Sequence, residues 1–266
     1  MYRLALIGNP VKQSKSPEIH QQFFEQTSLK GTYELIPVDQ VELEGKINWL
    51  KAEGYHGFNV TVPFKEKIIE YLDEIVGPAK AMQSVNTVSI QNNRLVGYNT
   101  DGEGYVLSLN EAYPDFLSDV KHKRILIIGA GGAAKGIAYQ LNKYAFQSID
   151  IINRTAEKAR QISRSLNHSR ALSLGMAKDI LEQYDLIIQT TSVGMSPNNH
   201  EQIISLQGVK PNAIASDIIY KPKWTSFLQD AEQRGCRILF GESMLLYQAA
   251  KAFQIWTGQE IKDFVN

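Results

Sequence analysis

The stretch GFNVTVPFKEKI, residues 57–68, ends a strand on side chains able to do proton chemistry. Phe58, Val60 and Val62 give the apolar alternation of a half-buried strand, which puts Asn59 and Thr61 together on the opposite face. Pro63 ends the ladder, and Lys65 follows where a helix should begin. One reading is a polar pocket with a lysine that transfers a proton. The plainer alternative is a solvated strand end before a charged first turn. Asp101, at a helix start in GYNTDGEG, is a candidate partner that keeps Lys65 charged and in place, although a carboxylate there also suits the helix dipole. Asn86 opens a strand in SVNTV. In NPVKQSKSPEIH, Ser16-Pro17-Glu18 is a good helix start by itself, with Ser as cap. That explanation leaves Ser14 over. Two hydroxyls beside Lys15 at a helix N-terminus can also hold a substrate carboxylate.

Holding these residues requires elements, and the chain supplies them in βα rhythm. YRLALIG, GTYELIPV and GFNVTVP read as strands; SPEIHQQFFEQT, VELEGKINWLKAEG and KEKIIEYLDEIV read as helices. TVSIQNNRLVGYN breaks the rhythm as a hairpin turning at Asn92-Asn93. TDGEGYVLSLNEAY resumes as a helix. A second βα series follows in KRILIIG, SIDIINR, DLIIQTT, AIASDIIY and CRILFG, before the long apolar helix ESMLLYQAAKAFQIWTG. The expected fold class is α/β, as two α/β domains with mostly parallel sheets, the final helix returning to the first domain. A cleft between two such domains is a common ligand site.

A glycine turn stands inside ILIIGAGGAAKGIAYQL. Gly129, Gly131 and Ala134 have the G-x-G-x-x-G/A spacing directly after a strand and opening a helix. Gly129 permits the tight turn, Gly131 lets backbone approach a pyrophosphate, and Ala134 allows close helix–strand contact. The turn Gly129-Ala130-Gly131-Gly132-Ala133 therefore reads as a nucleotide cradle. NAD sites place an acidic residue about 20 residues on. Here Asn153, Arg154 and Thr155 take that position, with Lys158 one turn further. A guanidinium matches a phosphate and a carboxylate repels it, so NADP(H) is favoured over NAD. The alternative is a solvated arginine in a loop.

Composition narrows the partners. Of 266 residues, 43% are hydrophobic, and 28 basic residues balance 28 acidic ones. With no basic block, a small-molecule partner is expected rather than nucleic acid or a membrane surface. The single Cys236 precludes an internal disulfide and suits a cytoplasmic location. The apolar run at the N-terminus is too short for a signal peptide or a span. Five scattered histidines show no metal-ligand spacing, so no metal is expected.

Taken in order, SKSP, NVTVPFK, NTD, GAGGAA, NRT, TTSVGM, DIIYKP and GESMLLYQAA resemble the shikimate dehydrogenase family over essentially the whole chain. The resemblance implies an N-terminal substrate-binding and catalytic domain (1–101), a Rossmann-like NADP-binding domain (102–237) and C-terminal helices packing back on the first (238–266). It implies that Ser14 and Ser16 bind the substrate carboxylate, and that Asn59, Thr61, Asn86, Asp101 and Gln248 bind ring hydroxyls. Lys65 matches the catalytic lysine, with Asp101 its partner. Tyr220 and Ile218 would line the cleft, Gly241 would give the cofactor room, and Met244 would lie by the nicotinamide. Thr190 and the segment around Met195 would also touch cofactor. The implied reaction is reversible NADPH-linked reduction of 3-dehydroshikimate to shikimate, in aromatic amino-acid biosynthesis. The sequence departs from the family pattern at Gln83-Ser84, where Gly-Ala is common, and this puts the turn before Asn86 in question. A quinate/shikimate dehydrogenase using NAD and a non-catalytic NADP-sensing module are the alternatives. The long apolar terminal helix reads as core rather than dimer surface, leaving monomer or homodimer open.

Overall fold

The computed structural model describes residues 1–262. The chain divides into two compact units: Met1–Asp101 together with the residues from Leu246 on, and Gly102–Leu245. None of the described helices is long and apolar enough to cross a membrane.

The first unit contains β1 (Tyr2–Gly8), α1 (Ser16–Gln26), β2 (Gly31–Pro37), α2 (Leu43–Ala52), β3 (Gly57–Val60), β4 (Glu74–Ile75), α3 (Pro78–Met82), β5 (Thr87–Gln91) and β6 (Arg94–Tyr98). They form a six-stranded sheet in the order β2-β1-β3-β5-β6-β4. β1 pairs in parallel with β2 and β3, whereas β5 is antiparallel to both β3 and β6. Alternation along β1 sends Leu4 to a layer with Phe23 and Phe24 of α1, and Ala5 and Ile7 to a layer with Ile47 and Leu50 of α2. Burying each of the leucine, isoleucine and phenylalanine side chains contributes about 1.5–3 kcal/mol. The Asn92-Asn93 hairpin turns through two left-handed residues, φ 49° and 62°, a conformation asparagine tolerates.

Two local expectations are corrected. All four residues of β3 are buried, because the strand lies between β1 and β5 and is covered on both faces. The strand ends at Val60, and Val62 is 56% exposed at a turn closed by Phe64 N–H on the Thr61 carbonyl. The helix expected over 65–76 is one 3-10 turn, Lys67–Tyr71, followed by β4. The edge of β6 competes for that backbone: Asp73 N–H donates to the Leu95 carbonyl, Val76 N–H to that of Gly97, and the Asp73 carboxylate accepts from Leu95 N–H at 2.7 Å.

The second unit contains nearly all of α4 (Asp101–Ala112), then β7 (Arg124–Ile128), α5 (Gly132–Leu141), β8 (Ser148–Ile152), α6 (Ala156–Ser163), β9 (Ala171–Leu172), β10 (Leu186–Gln189), β11 (Ile214–Asp217), α7 (Ser226–Gln233), β12 (Arg237–Leu239) and the first turn of α8 (Gly241–Thr257). Its six strands are parallel in the order β12-β11-β10-β7-β8-β9, the doubly wound order of dinucleotide-binding sheets. Ile125 and Ile127 pack on α4, α5 and α6; Leu126 and Ile128 pack on α7. This strand pattern, apolar at every position, is what burial on both faces demands. The unit runs to Leu245, past the boundary expected at 237, because β12 pairs with β11 and Met244 is buried in the same core. Cys236 is buried in the second core layer.

Candidate active site

Lys65 and Asp101 meet. The ammonium lies 2.6 Å from one carboxylate oxygen, with the lysine side chain 17% and the aspartate side chain 5% exposed. The other oxygen of Asp101 accepts from the Asn86 amide at 2.9 Å. That amide also reaches the Thr100 hydroxyl at 2.9 Å and the Gln248 carbonyl oxygen of α8 at 3.3 Å. Two amide hydrogens serve three acceptors, so the longest contact is the weakest. The Asn86 oxygen accepts from Thr100 N–H (2.9 Å) and the Thr87 hydroxyl (3.0 Å). Lys65 is placed by its own backbone: its carbonyl accepts from Val85 N–H at 2.7 Å, next to Asn86. A carboxylate this close, held by neutral donors, fixes where the ammonium points.

Asn59, on β3, donates to the Asn86 carbonyl and to the Thr87 hydroxyl, both at 3.0 Å, and accepts from the Tyr33 phenol at 2.6 Å. Thr61 follows the strand, its N–H on the Ile7 carbonyl at 3.0 Å. Its methyl occupies the space that a side chain at Gly8 would need. Gly8 thus lets the Thr61 turn press against the start of the serine loop, where Asn9 N–H bonds the Val62 carbonyl. In that loop the Ser14 and Ser16 hydroxyls lie 3.0 Å apart, and Ser14 Oγ accepts Ser16 N–H at 3.2 Å. Ser16 is the first helical residue of α1 and Lys15 stands at the cap position without a side-chain capping bond, which corrects the expected helix start. Neither serine nor Thr61 bonds directly to the Lys65–Asp101–Asn86 cluster among the described residues.

Gln83 stands in the left-handed region (φ 50°, ψ 47°) at the end of α3, where a glycine is natural. The turn forms regardless. Ser84, fully buried, gives its carbonyl to the Asn99 amide at 3.0 Å, and the Asn99 oxygen accepts Asp101 N–H at 3.0 Å. The departure at Gln83-Ser84 leaves Asn86 in place.

In the second unit the glycine turn has the expected form. Gly129 has φ 118°, and a side chain there would strike Thr190. Thr190 itself donates to the Ile128 carbonyl at 2.8 Å. A Cβ at Gly131 would meet no protein atom within 4 Å, so the turn is open on that side. Gly132 and Ala133 open α5 behind it, Ala130 is buried, and Ala134 is fully buried against the sheet. Arg154, Thr155 and Lys158 are exposed beyond β8, and Asn153 braces the turn through the Thr155 carbonyl at 3.0 Å. Arg160 and Arg164 pair with Glu157, whereas Arg154 and Lys158 make no ion pair among the described residues. These groups fit a nucleotide with a phosphate near its ribose.

At the ends of β10 and β11, Met195 is 36% exposed and Ile218 and Tyr220 are half-buried. Gly241 opens α8 against the carbonyl groups of Ile218 and Asp217, so the space lacking a side chain admits that backbone. Met244 is 7% exposed within the core. Asp217 organises this end. Fully buried, its carboxylate accepts from Ile219 N–H (2.9 Å), the Thr225 hydroxyl (2.7 Å) and the Gln189 amide (3.3 Å). Desolvation raises its pKa to about 6 against the pull of those donors. Gln189 also bonds the Thr191 and Val193 backbone, so two polar residues fix both loops.

Sequence reading missed Tyr33, Thr87, Thr100 and Asn99 in the first unit, and Gln189 and Asp217 in the second. Asn99, Thr100 and Asp217 stand inside the motifs NTD and DIIYKP, a usable signal. Tyr33 and Gln189 carry none, since their roles depend on strands distant in sequence.

Three family models match: the shikimate dehydrogenase substrate binding domain at residues 6–88, shikimate / quinate 5-dehydrogenase at 112–213, and the shikimate 5'-dehydrogenase C-terminal domain at 241–262. A shikimate dehydrogenase (NADP(+)) of Oceanobacillus iheyensis is 47% identical over 97% of this chain and 93% of its own. The crystal structure of a shikimate dehydrogenase in complex with NADP+ superposes with a TM-score of 0.87 at 37% identity, covering 98% of this chain and 91% of that one. The Thermus thermophilus enzyme, in complex with NADP(H) and shikimate, gives 0.84 at 30% identity, with 98% and 95% covered. On identity at this level over nearly its full length, the chain belongs to the shikimate dehydrogenase family.

Proposed function

We propose that this protein is an NADP-dependent shikimate dehydrogenase, reducing 3-dehydroshikimate to shikimate reversibly, and that the residues above carry the reaction. The observation behind the residue roles is the Lys65–Asp101 pair at 2.6 Å, set among Asn59, Asn86 and Gln248. NADPH, when bound, supplies the hydride. Lys65 acts at the C3 oxygen: its ammonium hydrogen-bonds that oxygen, stabilises the negative charge developing there and delivers the proton. Asp101 holds the ammonium, and Asn86 holds Asp101. In the oxidative direction the pair takes the proton back as a coupled unit. Ser14 and Ser16 hold the ring carboxylate; Thr61, Asn59, Asn86, Gln248 and Tyr220 serve the hydroxyls. Gly129–Ala133 cradle the pyrophosphate, and Asn153, Arg154, Thr155 and Lys158 take the adenosine 2′-phosphate. Thr190, Met195, Ile218, Gly241 and Met244 belong to the nicotinamide end; for the last two, the close-packed Gly241 and buried Met244 support a role through backbone and shape. The domain roles follow: residues 1–101 bind substrate, 102–245 bind NADP, and the residues from Leu246 on complete the first. A single buried cysteine supports placing it in the cytoplasm.

The test is the near-ultraviolet absorbance of the reduced nicotinamide, with purified protein and shikimate or quinate crossed with NADP+ or NAD+. Turnover mainly with shikimate and NADP+ is expected. Comparable rates with quinate or NAD+ would move the protein to the broader quinate/shikimate class. Binding of NADP+ without turnover of either substrate would make it a sensing module.

A further inference from the structure

Asn59 is fixed from both ends of its carboxamide. Its nitrogen donates to the Asn86 carbonyl and the Thr87 hydroxyl, and its oxygen accepts from Tyr33 at 2.6 Å. A carboxamide has two hydrogens and two acceptor positions. Both hydrogens are therefore used within the protein, and one acceptor position is left.

The Asn86 backbone carbonyl, which only accepts, puts the amide nitrogen on its side, and the Tyr33 phenol, donating at 2.6 Å to the oxygen, holds the other end in place. The Tyr33 ring is itself held. It stacks on His20 with centroids 4.2 Å apart and planes 6° from parallel. His20 is wholly buried and neither ring nitrogen has a hydrogen-bond partner. It meets Phe23 edge-on at 5.5 Å and Trp256 at 5.6 Å. Burial pushes its pKa down to about 3, so the imidazole is a neutral slab behind the tyrosine.

We propose that Tyr33 is a positioning residue of the substrate site: it locks Asn59 so that the amide oxygen alone faces ligand, making Asn59 a reader of a hydroxyl that donates. The proposal rests on the shikimate reading of the site. A ketone cannot donate a hydrogen bond, so Asn59 suits a ring hydroxyl that the reaction leaves untouched and not the carbon that alternates between alcohol and ketone. Lys65, which only donates, suits the latter.

The experiment compares wild type with Tyr33→Phe on shikimate and on its 4-deoxy and 5-deoxy analogues. Phenylalanine keeps the ring against His20, so a thermal melt near that of wild type is expected. Losing one hydrogen bond of about 1.4 kcal/mol should raise the shikimate KM about tenfold. The kcat and the NADP+ KM should stay within about twofold, since neither involves Asn59. Wild type should discriminate against the deoxy analogue whose hydroxyl Asn59 reads, and Tyr33→Phe should lose about tenfold of that discrimination for this analogue alone. An unchanged shikimate KM, or an equal loss on all three compounds, overturns the proposal. Should Tyr33→Phe fail to fold, Thr87→Val frees one amide hydrogen of Asn59 and should lose discrimination for the same single analogue. Its kcat should fall as well, because that hydroxyl also donates to Asn86. Equal loss on all three compounds again overturns the proposal. Wild type without shikimate turnover would instead overturn the functional reading, and this proposal with it.

Discussion

In the first unit, Lys65, Asp101, Asn86 and Gln248 are joined by hydrogen bonds of 2.6 to 3.3 Å. In the second, the groups proposed to meet ligand are an open glycine turn and two exposed cations, Arg154 and Lys158, that make no ion pair among the described residues. The contrast follows the two tasks. Proton transfer needs groups within a few tenths of an ångström of their working positions, and a buried network in low dielectric holds them there. Binding a dianionic phosphate needs charge and access, and an arginine can find its fork geometry when the phosphate comes. Side chains bonded to each other should fail together; side chains bonded to nothing should fail singly.

The largest effect tests the network. Lys65→Ala is expected to lower kcat by about a thousandfold while shikimate KM changes little. A large KM rise with kcat preserved would make Lys65 a binding group and weaken the contrast. Next, Arg154→Asp should raise the NADP+ KM by about a hundredfold, from loss of a charge-assisted contact and added repulsion, and change the NAD+ KM little. Equal losses with both cofactors would remove Arg154 from the phosphate site.

A third effect separates the packing behind the two sites. The folded-state pKa of His20, about 3, lies below its ordinary value of 6.5. Below pH 6.5 the unfolded chain therefore takes a proton that the folded chain refuses. The stability His20 contributes as a neutral ring is full above pH 6.5 and falls as pH drops toward 3, by up to about 1.4 kcal/mol per pH unit. Denaturant unfolding at pH 7 and pH 5 should show wild type losing roughly 2 kcal/mol more than His20→Phe between the two. Parallel losses would mean that His20 is already hydrated. The smallest effect is local. Gln83→Gly removes a left-handed glutamine and should raise stability by about 0.5–1 kcal/mol, leaving both KM values unchanged. Its melting temperature decides the point.

Much of this was legible in the residues. The strands other than the tip of β3, the Asn92-Asn93 hairpin, the glycine turn and the helix after it form as local pattern dictates, because those signals act over a few neighbouring residues. That residues 65–76 would not form the expected helix was not legible. Their apolar spacing suits a helix, but the free edge of β6 offers their backbone partners that no local pattern reveals.

Taken alone, the sequence determined the α/β class, the order of motifs and the residue types available for catalysis and phosphate binding. It also marked Lys65 and Asp101 as candidates without bringing them together. Tertiary structure decided the rest: that 36 residues of chain fold back to place these two 2.6 Å apart, that Asn86, bonded to Asp101, reaches Gln248 162 residues further along the chain, and that Tyr33 bonds Asn59 from another strand. Hydrogen bonds between distant segments depend on sheet register and on which strands are neighbours. Those are set by the packing of the whole core.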